Sequence, residues 1–522
     1  MSHNPLSDFA RRIRGQAAAH PEQYMQVALD TNVGTLESRA QSRHEDARGA
    51  AEGRNAMAQT RDLVSEFIAA TATKLGIPGV AVGVWADGRE MYVCHGVTSL
   101  ENPLPVDQNT LYLLASITKT YTATTLMRLV ADGRVELEAP VRRYVPELVL
   151  ADERAAAEIT VLQLLNHTAG LDWRLIYDSG EGDDALARLV ARLAALPLVA
   201  PPGTRASYSQ AGYDLAGRII EKATGLTYEH AVASLILAPL GLSTSFFSRD
   251  EVMTRRFVVG HTLSSADGTL SIARMWRYAR GDNPGGGLVS SVAEQLRWAR
   301  FHLGDGRADS GEQVLPTELL RRMQQPTVAL QSSSLGDAIG IGWFLRDVDG
   351  VRTVGHDGSA NGQFAQLLMV PERNFAVVSL ANADPNGIPF NQAVVRWALQ
   401  TYVGVADRDR EPLPYDAGRA SELVGTYAND AMTFTIRTDG ARLTLEVRIK
   451  PALRAASDKE LPPDPPPFEF GLLPGPSDKD EYVVTSGAYK GQRGFFTHDA
   501  LGAVVGLDLA GRVAQRVPTG SE

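Results

Sequence analysis

The chain has 522 residues, 44% of them hydrophobic and 21% charged, with 51 basic against 61 acidic side chains and a formal net charge of −10. This is the composition of an ordinary globular protein too long for a single core, so two or three domains are expected. The negative balance, with no basic stripe interleaved with aromatics, excludes a nucleic-acid binder. One cysteine, Cys94, excludes a disulfide framework and a Cys-based metal site, and no run approaches the roughly 18 apolar residues of a membrane span.

Residues 1–55 are polar and rich in Arg, Glu and Ala, and are expected to form an extension outside the folded body. Ala10 to Arg14 is charged but no apolar segment follows it, so no secretory signal is readable and a cytoplasmic location is expected. From residue 56 to 406 the pattern is that of a mixed α and β domain. Arg61 to Lys74 places Leu63, Val64, Phe67 and Ile68 on one helical face. Gly79 to Trp85 and Glu90 to His95 flank Ala86-Asp87-Gly88-Arg89, which predicts a hairpin with an Asp-Gly turn and puts Cys94 in a strand as a small apolar residue. Ala115 to Asp132 reads as a helix stopped by Gly133, followed by a helical region to about residue 305. Val351 to His356, Gln363 to Val370 and Phe375 to Leu380 read as strands that return to the first hairpin's sheet.

Asp407 to Pro414 is charged and contains proline, so residues 407–415 are expected to be a linker. The remaining 416–522 segment is all-β in character. Strands are predicted at Thr433 to Arg437, Leu443 to Ile449, Tyr482 to Thr485, Gly494 to His498, Val504 to Leu509 and Arg512 to Val517. Close spacing with polar turns suggests a small barrel. Five prolines between Pro462 and Pro467 predict that Leu461 to Pro476 is a loop.

Within the helix, Ser116-Ile117-Thr118-Lys119 sets a hydroxyl and an amine three residues apart, and such residues share a face. A serine needs a neighbouring base to become a useful nucleophile, and burial lowers a lysine's pKa toward the range where it can act as one. Two further segments follow in order: Tyr208-Ser209-Gln210 before an amphipathic run, then His356-Asp357-Gly358 in the β-rich stretch. No G-x-S-x-G occurs, which argues against an α/β-hydrolase. His20, His44 and His498 lack ligand spacing, so neither a metal nor a cofactor is expected.

The order S-x-x-K, Y-x-N-like, H-x-G resembles the serine β-lactamase and penicillin-binding-protein superfamily, most of all its class C-related branch of esterases and D-aminopeptidases. Leu164 to Leu171, Tyr208 to Gly225 and Gly286 to Ser291 are similar to that branch's L-L-x-H-T-S-G-L, Y-S-N and G-G-L-x-S-T segments, and Gly340 to Trp343 to its Y-G-L-G-W strand. Leu423 to Tyr427 and the closing strands look like the lipocalin-like domain appended to many of these hydrolases. The resemblance implies an α+β catalytic domain followed by a small β-barrel. It implies Ser116 as nucleophile, Lys119 and Tyr208 as the proton relay, and the amides of Ser116 and Ser359 as the oxyanion hole. It gives Gln210, His356 and Gly358 as substrate contacts, although glutamine stands where the family carries asparagine and is a methylene longer. His356, where classical β-lactamases carry lysine, is expected to change charge near neutrality. His167 is expected to fix a loop. The reaction implied is cleavage of an ester or amide, in a small molecule or a peptide containing D-residues, through an acyl-enzyme. The same intermediate would serve an acyltransferase or a peptide-cyclising thioesterase, and a silent binding protein is a third reading. The tail is expected to shape access and take no part in bond-making. The sequence leaves the oligomeric state open.

Overall fold

The computed structural model describes residues 62–518, apart from 172–176, 264–268, 277–278, 457–463, 476–479, 488 and 510. The N-terminal extension read from the sequence lies outside the described residues.

Gly79–Ala86 and Arg89–Gly96 form the expected hairpin, pairing Ala86 with Arg89. Asp87 and Gly88 take φ of 52° and 73°, the left-handed pair that matches the twist of the flanking strands. Phe375–Ala381 lies beside Gly79–Ala86, and the sheet continues through Gln363–Val370, Val351–Ala360, Phe344–Val348, Gly336–Ile339 and Val328–Ser333. All eight strands are antiparallel to their neighbours.

Both faces of the sheet are covered. Helix 62–74 and Gly387–Ala398 pack on one face, with Val64, Ile68, Phe390 and Val394 against Val80, Val82 and Val84. The alternate residue Ala81 faces the other side and joins the core of the helical cluster. At the centre of that cluster runs Thr118–Ala131, buried on nearly every side through its first ten residues. A helix apolar or buried all round belongs to the interior rather than to a surface. Gln210–Thr224 packs against it, capped by the Ser209 hydroxyl accepting from Gly212 N and closed by Gly225 at φ 76°.

Eight further strands close into a barrel: Gly425–Ala428, Met432–Thr438, Leu443–Ile449, Phe468–Leu472, Glu481–Val484, Arg493–His498, Val504–Leu509 and Arg512–Arg516. Its core holds Tyr427, Phe434, Phe470, Tyr482 and Phe496. The α+β body and the lipocalin-like barrel are thus both present.

Two local expectations are corrected. Phe468–Leu472, inside the segment expected to be a loop, is a barrel strand paired to Leu443–Leu445 and Tyr482–Val484. Its alternating Phe468 and Phe470 supply buried rings, and that pattern outweighs the prolines before it. Gly340 to Trp343, matched to a strand, is instead a bend between Gly336–Ile339 and Phe344–Val348. Gly342 sits there at φ 75°, and a Cβ on it would lie 2.5 Å from the Ala123 Cβ of the central helix.

The 407–415 segment carries no helix or strand, but it is strapped down. Arg346 holds Asp407 at 2.6 Å, Arg396 pairs with Asp407 and Asp409, and Leu413 N donates to Leu472 O. Among the described residues, no helix is long and apolar enough to cross a membrane.

Candidate active site

Ser116 occupies a 3₁₀ turn, Ala115–Ile117, which leads into the helix Thr118–Ala131. Ala115 takes φ 46°, a left-handed conformation unusual for a residue with a Cβ and of the kind stored at functional turns. The turn is clamped from the Gly286–Ser291 segment: Leu114 N donates to Leu288 O, and Leu288 N donates to the Thr118 hydroxyl.

Lys119 is fully buried. Its Nζ lies 3.1 Å from Ser116 Oγ, donates to Gln210 Oε1 at 2.7 Å and donates to Gly285 O at 2.6 Å. Two of these acceptors are carbonyl oxygens and can only accept, so they fix two amine protons and aim the third tetrahedral position at the serine. Gln210 therefore reaches the lysine despite its extra methylene. The room for it comes from Gly285, where a Cβ would fall 1.8 Å from Gln210 Nε2. That nitrogen faces inward, with long contacts to Asp214 Oδ1 and Asp282 O.

Tyr208 is buried, with Lys119 Nζ 4.9 Å from its ring centroid. Two histidines flank it. His167, at φ 61°, accepts from Ser209 N through Nδ1 at 3.1 Å, and its carbonyl accepts from Ser207 N. It fixes the backbone on both sides of Tyr208, in keeping with the loop-fixing role expected of it. Burial and the Lys119 charge hold His167 well below the usual imidazole range, so the neutral ring that accepts at Nδ1 carries its proton on Nε2. His356 stacks on Phe344 at 4.4 Å and lies 6.3 Å from Tyr208. Burial first, and Lys119 second, push it down to about 3. The expectation that His356 changes charge near neutrality is therefore not met: it is an uncharged imidazole there.

Gly358 has a steric reason. A Cβ on it would lie 2.0 Å from Leu114 O and 3.0 Å from Ser116 N, so only glycine lets this strand press against the nucleophile turn. Phe344–Val348 pairs with Val351–Gly355 and the ladder ends there, while His356–Ala360 continues to pair with Gln363–Leu367 on the other side. Asp357 and Ser359 are exposed to the cleft beside this stretch, and burial within the surrounding walls raises the Asp357 carboxyl to about 6.

The cleft has a volume of about 1790 Å³ and runs from Ser116, Tyr208 and His356 to barrel residues including Tyr489 and Arg512. The barrel touches the site directly. Tyr208 N donates to Gly511 O at 2.7 Å, and the Arg512 guanidinium lies 5.4 Å from the Tyr208 ring centroid. The structure thus brings Ser116, Lys119, Tyr208, Gln210, His356, Gly358 and Ser359 to one cleft. Sequence reasoning missed Gly285, for which the run Gly285-Gly286-Gly287 was an available signal. It also missed Gly511 and Arg512, for which no local signal exists. Among the described residues, no group of His, Cys, Asp or Glu side chains could hold a metal.

A helix-backed antiparallel sheet with a cleft-lining serine and a buried lysine one turn apart at its junction defines the β-lactamase-like class of serine enzymes. The Beta-lactamase family profile matches residues 60–401, and the chain belongs to that family. It is 32% identical over 369 residues to Penicillin-binding protein 4 of Amycolatopsis lactamdurans, covering 69% of this chain and 96% of that one. SurE, also solved with D-Leu, superposes with a TM-score of 0.67 at 25% identity, over 88% of this chain and 100% of its own. The D-amino acid amidase of Ochrobactrum anthropi SV3 shares the fold of 66% of this chain and 99% of its own, at a TM-score of 0.57 and 24% identity.

Proposed function

We propose that the chain catalyses acyl transfer from an ester or amide through a covalent intermediate on Ser116. The observation that carries this reading is the fully buried Lys119 held 3.1 Å from Ser116 Oγ by two carbonyl acceptors. In this cage Lys119 passes a proton to the Tyr208 phenolate, and the amine so freed presents its lone pair to the serine hydroxyl, takes its proton, and leaves the oxygen free to attack a carbonyl. Tyr208, close to the same ammonium, relays the proton to the leaving group. The amides of Ser116 and Ser359 stabilise the oxyanion, and His356, whose Nδ1 donates to Asp357 O at 2.7 Å, offers Nε2 to the substrate as a neutral acceptor. Gln210 acts by orienting Lys119.

The edge of His356–Ala360 opposite Gln363–Leu367, beyond the end of the Phe344–Val348 ladder, offers backbone groups to an extended substrate, and the cleft is larger than the 300–1,000 Å³ of common small-ligand pockets. Both features favour a peptide over a small ester, and the D-Leu complex of SurE supports D-configured residues. A second reading, transfer to an amine with release of a cyclic peptide, is supported by the size of the cleft between body and barrel, which has room for a bulky acyl group and a second nucleophile beside Ser116. The catalytic unit corresponds to residues 56–406.

Incubation with a fluorophosphonate, followed by peptide mass spectrometry, tests the assignment. Label is expected on Ser116 and lost in Ser116→Ala. Label on another serine, with Ser116→Ala still active, would refute it.

A further inference from the structure

The barrel meets the catalytic body at Tyr208, and the contact is built from both sides. Gly511, at φ 73°, turns its carbonyl toward Tyr208 N. Its amide donates to Asp508 Oδ1 at 3.1 Å, so a fully buried carboxylate shapes the turn. The turn is pressed against the body: a Cβ on Gly511 would lie 2.1 Å from Leu335 Cδ1. Beside it the barrel strand Arg493–His498 is fastened to the same hairpin, with Arg493 donating to Ser333 O and Ser334 N donating to Arg493 O.

Charge is arranged across this junction as well. Asp508 attracts Arg512 on its own turn and Arg205 on the body, three residues before Tyr208. The groups that face the Tyr208 ring are Lys119 on the central helix, His167, Tyr213, His356 and Arg512. Both histidines are uncharged at neutral pH, held down by burial and by Lys119. The positive charges against the phenol are therefore Lys119 from the body and Arg512 from the barrel.

We propose that the barrel is a working part of the acyl-transfer site: Gly511 fixes Tyr208 through its carbonyl, and Arg512 beside it is set against the phenol as a second cation beside Lys119. Arg512 is a positioning residue that acts through Tyr208, and its charge favours the phenolate over the phenol. This replaces the expectation that the tail only shapes access. It rests on the reading of Tyr208 as proton relay for Ser116.

The test is a pH–rate profile of kcat/KM with p-nitrophenyl acetate, on the full-length chain and its Arg512→Met and Arg512→Lys variants. Arg512→Met is expected to move the acid-side midpoint up by about one pH unit, which slows the reaction about tenfold below the midpoint. Arg512→Lys, which keeps the charge, is expected to restore most of that shift. A merely structural role would lower the whole profile without moving its midpoint. Should Arg512→Met fail to fold by circular dichroism, Arg512→Gln is read on the same profile. A midpoint unmoved in the uncharged variant, or moved equally in Arg512→Lys, overturns the proposal. Fluorophosphonate labelling of the parent chain and the rate of Tyr208→Phe separate the two failures. If Ser116 is not labelled, or Tyr208→Phe keeps its full rate, the relay reading falls and this proposal with it. If both hold and the midpoint stays, only the barrel's role is wrong.

Discussion

The turn that carries Ser116 and the turn that carries Gly511 both converge on Tyr208, and they are specified in opposite ways. The first is local. Ser116 and Lys119 are one helical turn apart, so the chain brings them together wherever that helix forms. The second is remote. Gly511 O and the Arg512 guanidinium arrive only because a whole barrel docks on the edge hairpin Val328–Ser333 and Gly336–Ile339. Chemistry that a helix can hold is written as a motif; chemistry held by docking leaves no spacing to read.

The strongest challenge to this contrast falls on the local side. Ser116→Ala should abolish acylation, a loss of roughly 10⁵-fold or more measured by ester turnover. Lys119→Arg should come within about tenfold of Lys119→Ala, because arginine cannot give up its proton. A Lys119→Arg enzyme with most of its rate would show that positive charge alone suffices there.

A smaller effect sharpens how the lysine is aimed. Gln210→Asn withdraws the carboxamide by a methylene from Lys119 Nζ, and the space beside Gly285 stays empty. A loss of about tenfold in kcat is expected, the size of one buried hydrogen bond. Unchanged steady-state kinetics in that variant would remove glutamine from the site.

The remote side can be weakened without touching the cleft. Phe470 is buried in the barrel against Tyr482 at 5.1 Å, and Phe470→Ala should destabilise the barrel by about 3 kcal/mol. On heating, this variant should lose esterase activity together with the barrel's transition, ahead of the body's. Activity that survives barrel melting would confine the site to the body.

A last effect, on stability and confined to acid pH, concerns His356. Its folded pKa of about 3 lies below the ordinary 6.5, so the unfolded chain takes up a proton first as pH falls. Stability from this group is complete above about pH 6.5 and is lost toward pH 3. His356→Gln should therefore gain on the parent chain by about 3 kcal/mol between pH 7 and pH 4, read from paired denaturant melts. A difference independent of pH would mean that His356 titrates alike in both states.

Much of the body was legible because its elements follow local rules. The Asp87-Gly88 hairpin, the helix after Ser116 and the closing strands are each set by period and turn chemistry. The barrel strand Phe468–Leu472 was hidden by the prolines ahead of it, and Gly340–Trp343 by a motif match that gives no φ. Within the site, Ser116, Lys119 and Tyr208 follow from residue order alone. The neutrality of His356 does not, since it depends on burial and on a lysine from another element. Nor does the fit of Gln210, which depends on the missing side chain of Gly285.

The hydrogen bond from Tyr208 N to Gly511 O also places the site in time. A chain grows from its N-terminus at about 5–20 residues per second, and its units fold as they emerge. The body is complete only once Phe375–Ala381 and Gly387–Ala398 have emerged, so Tyr208 can sit in a folded body for roughly 5–25 s while the last ~110 residues up to Gly511 are made. A polypeptide interrupted near its end would keep its serine and lysine but lack the piece that completes their partner. On the proposed role of the barrel, full reactivity arrives only with the last strands, and an unfinished chain carries its nucleophile with an unpinned partner.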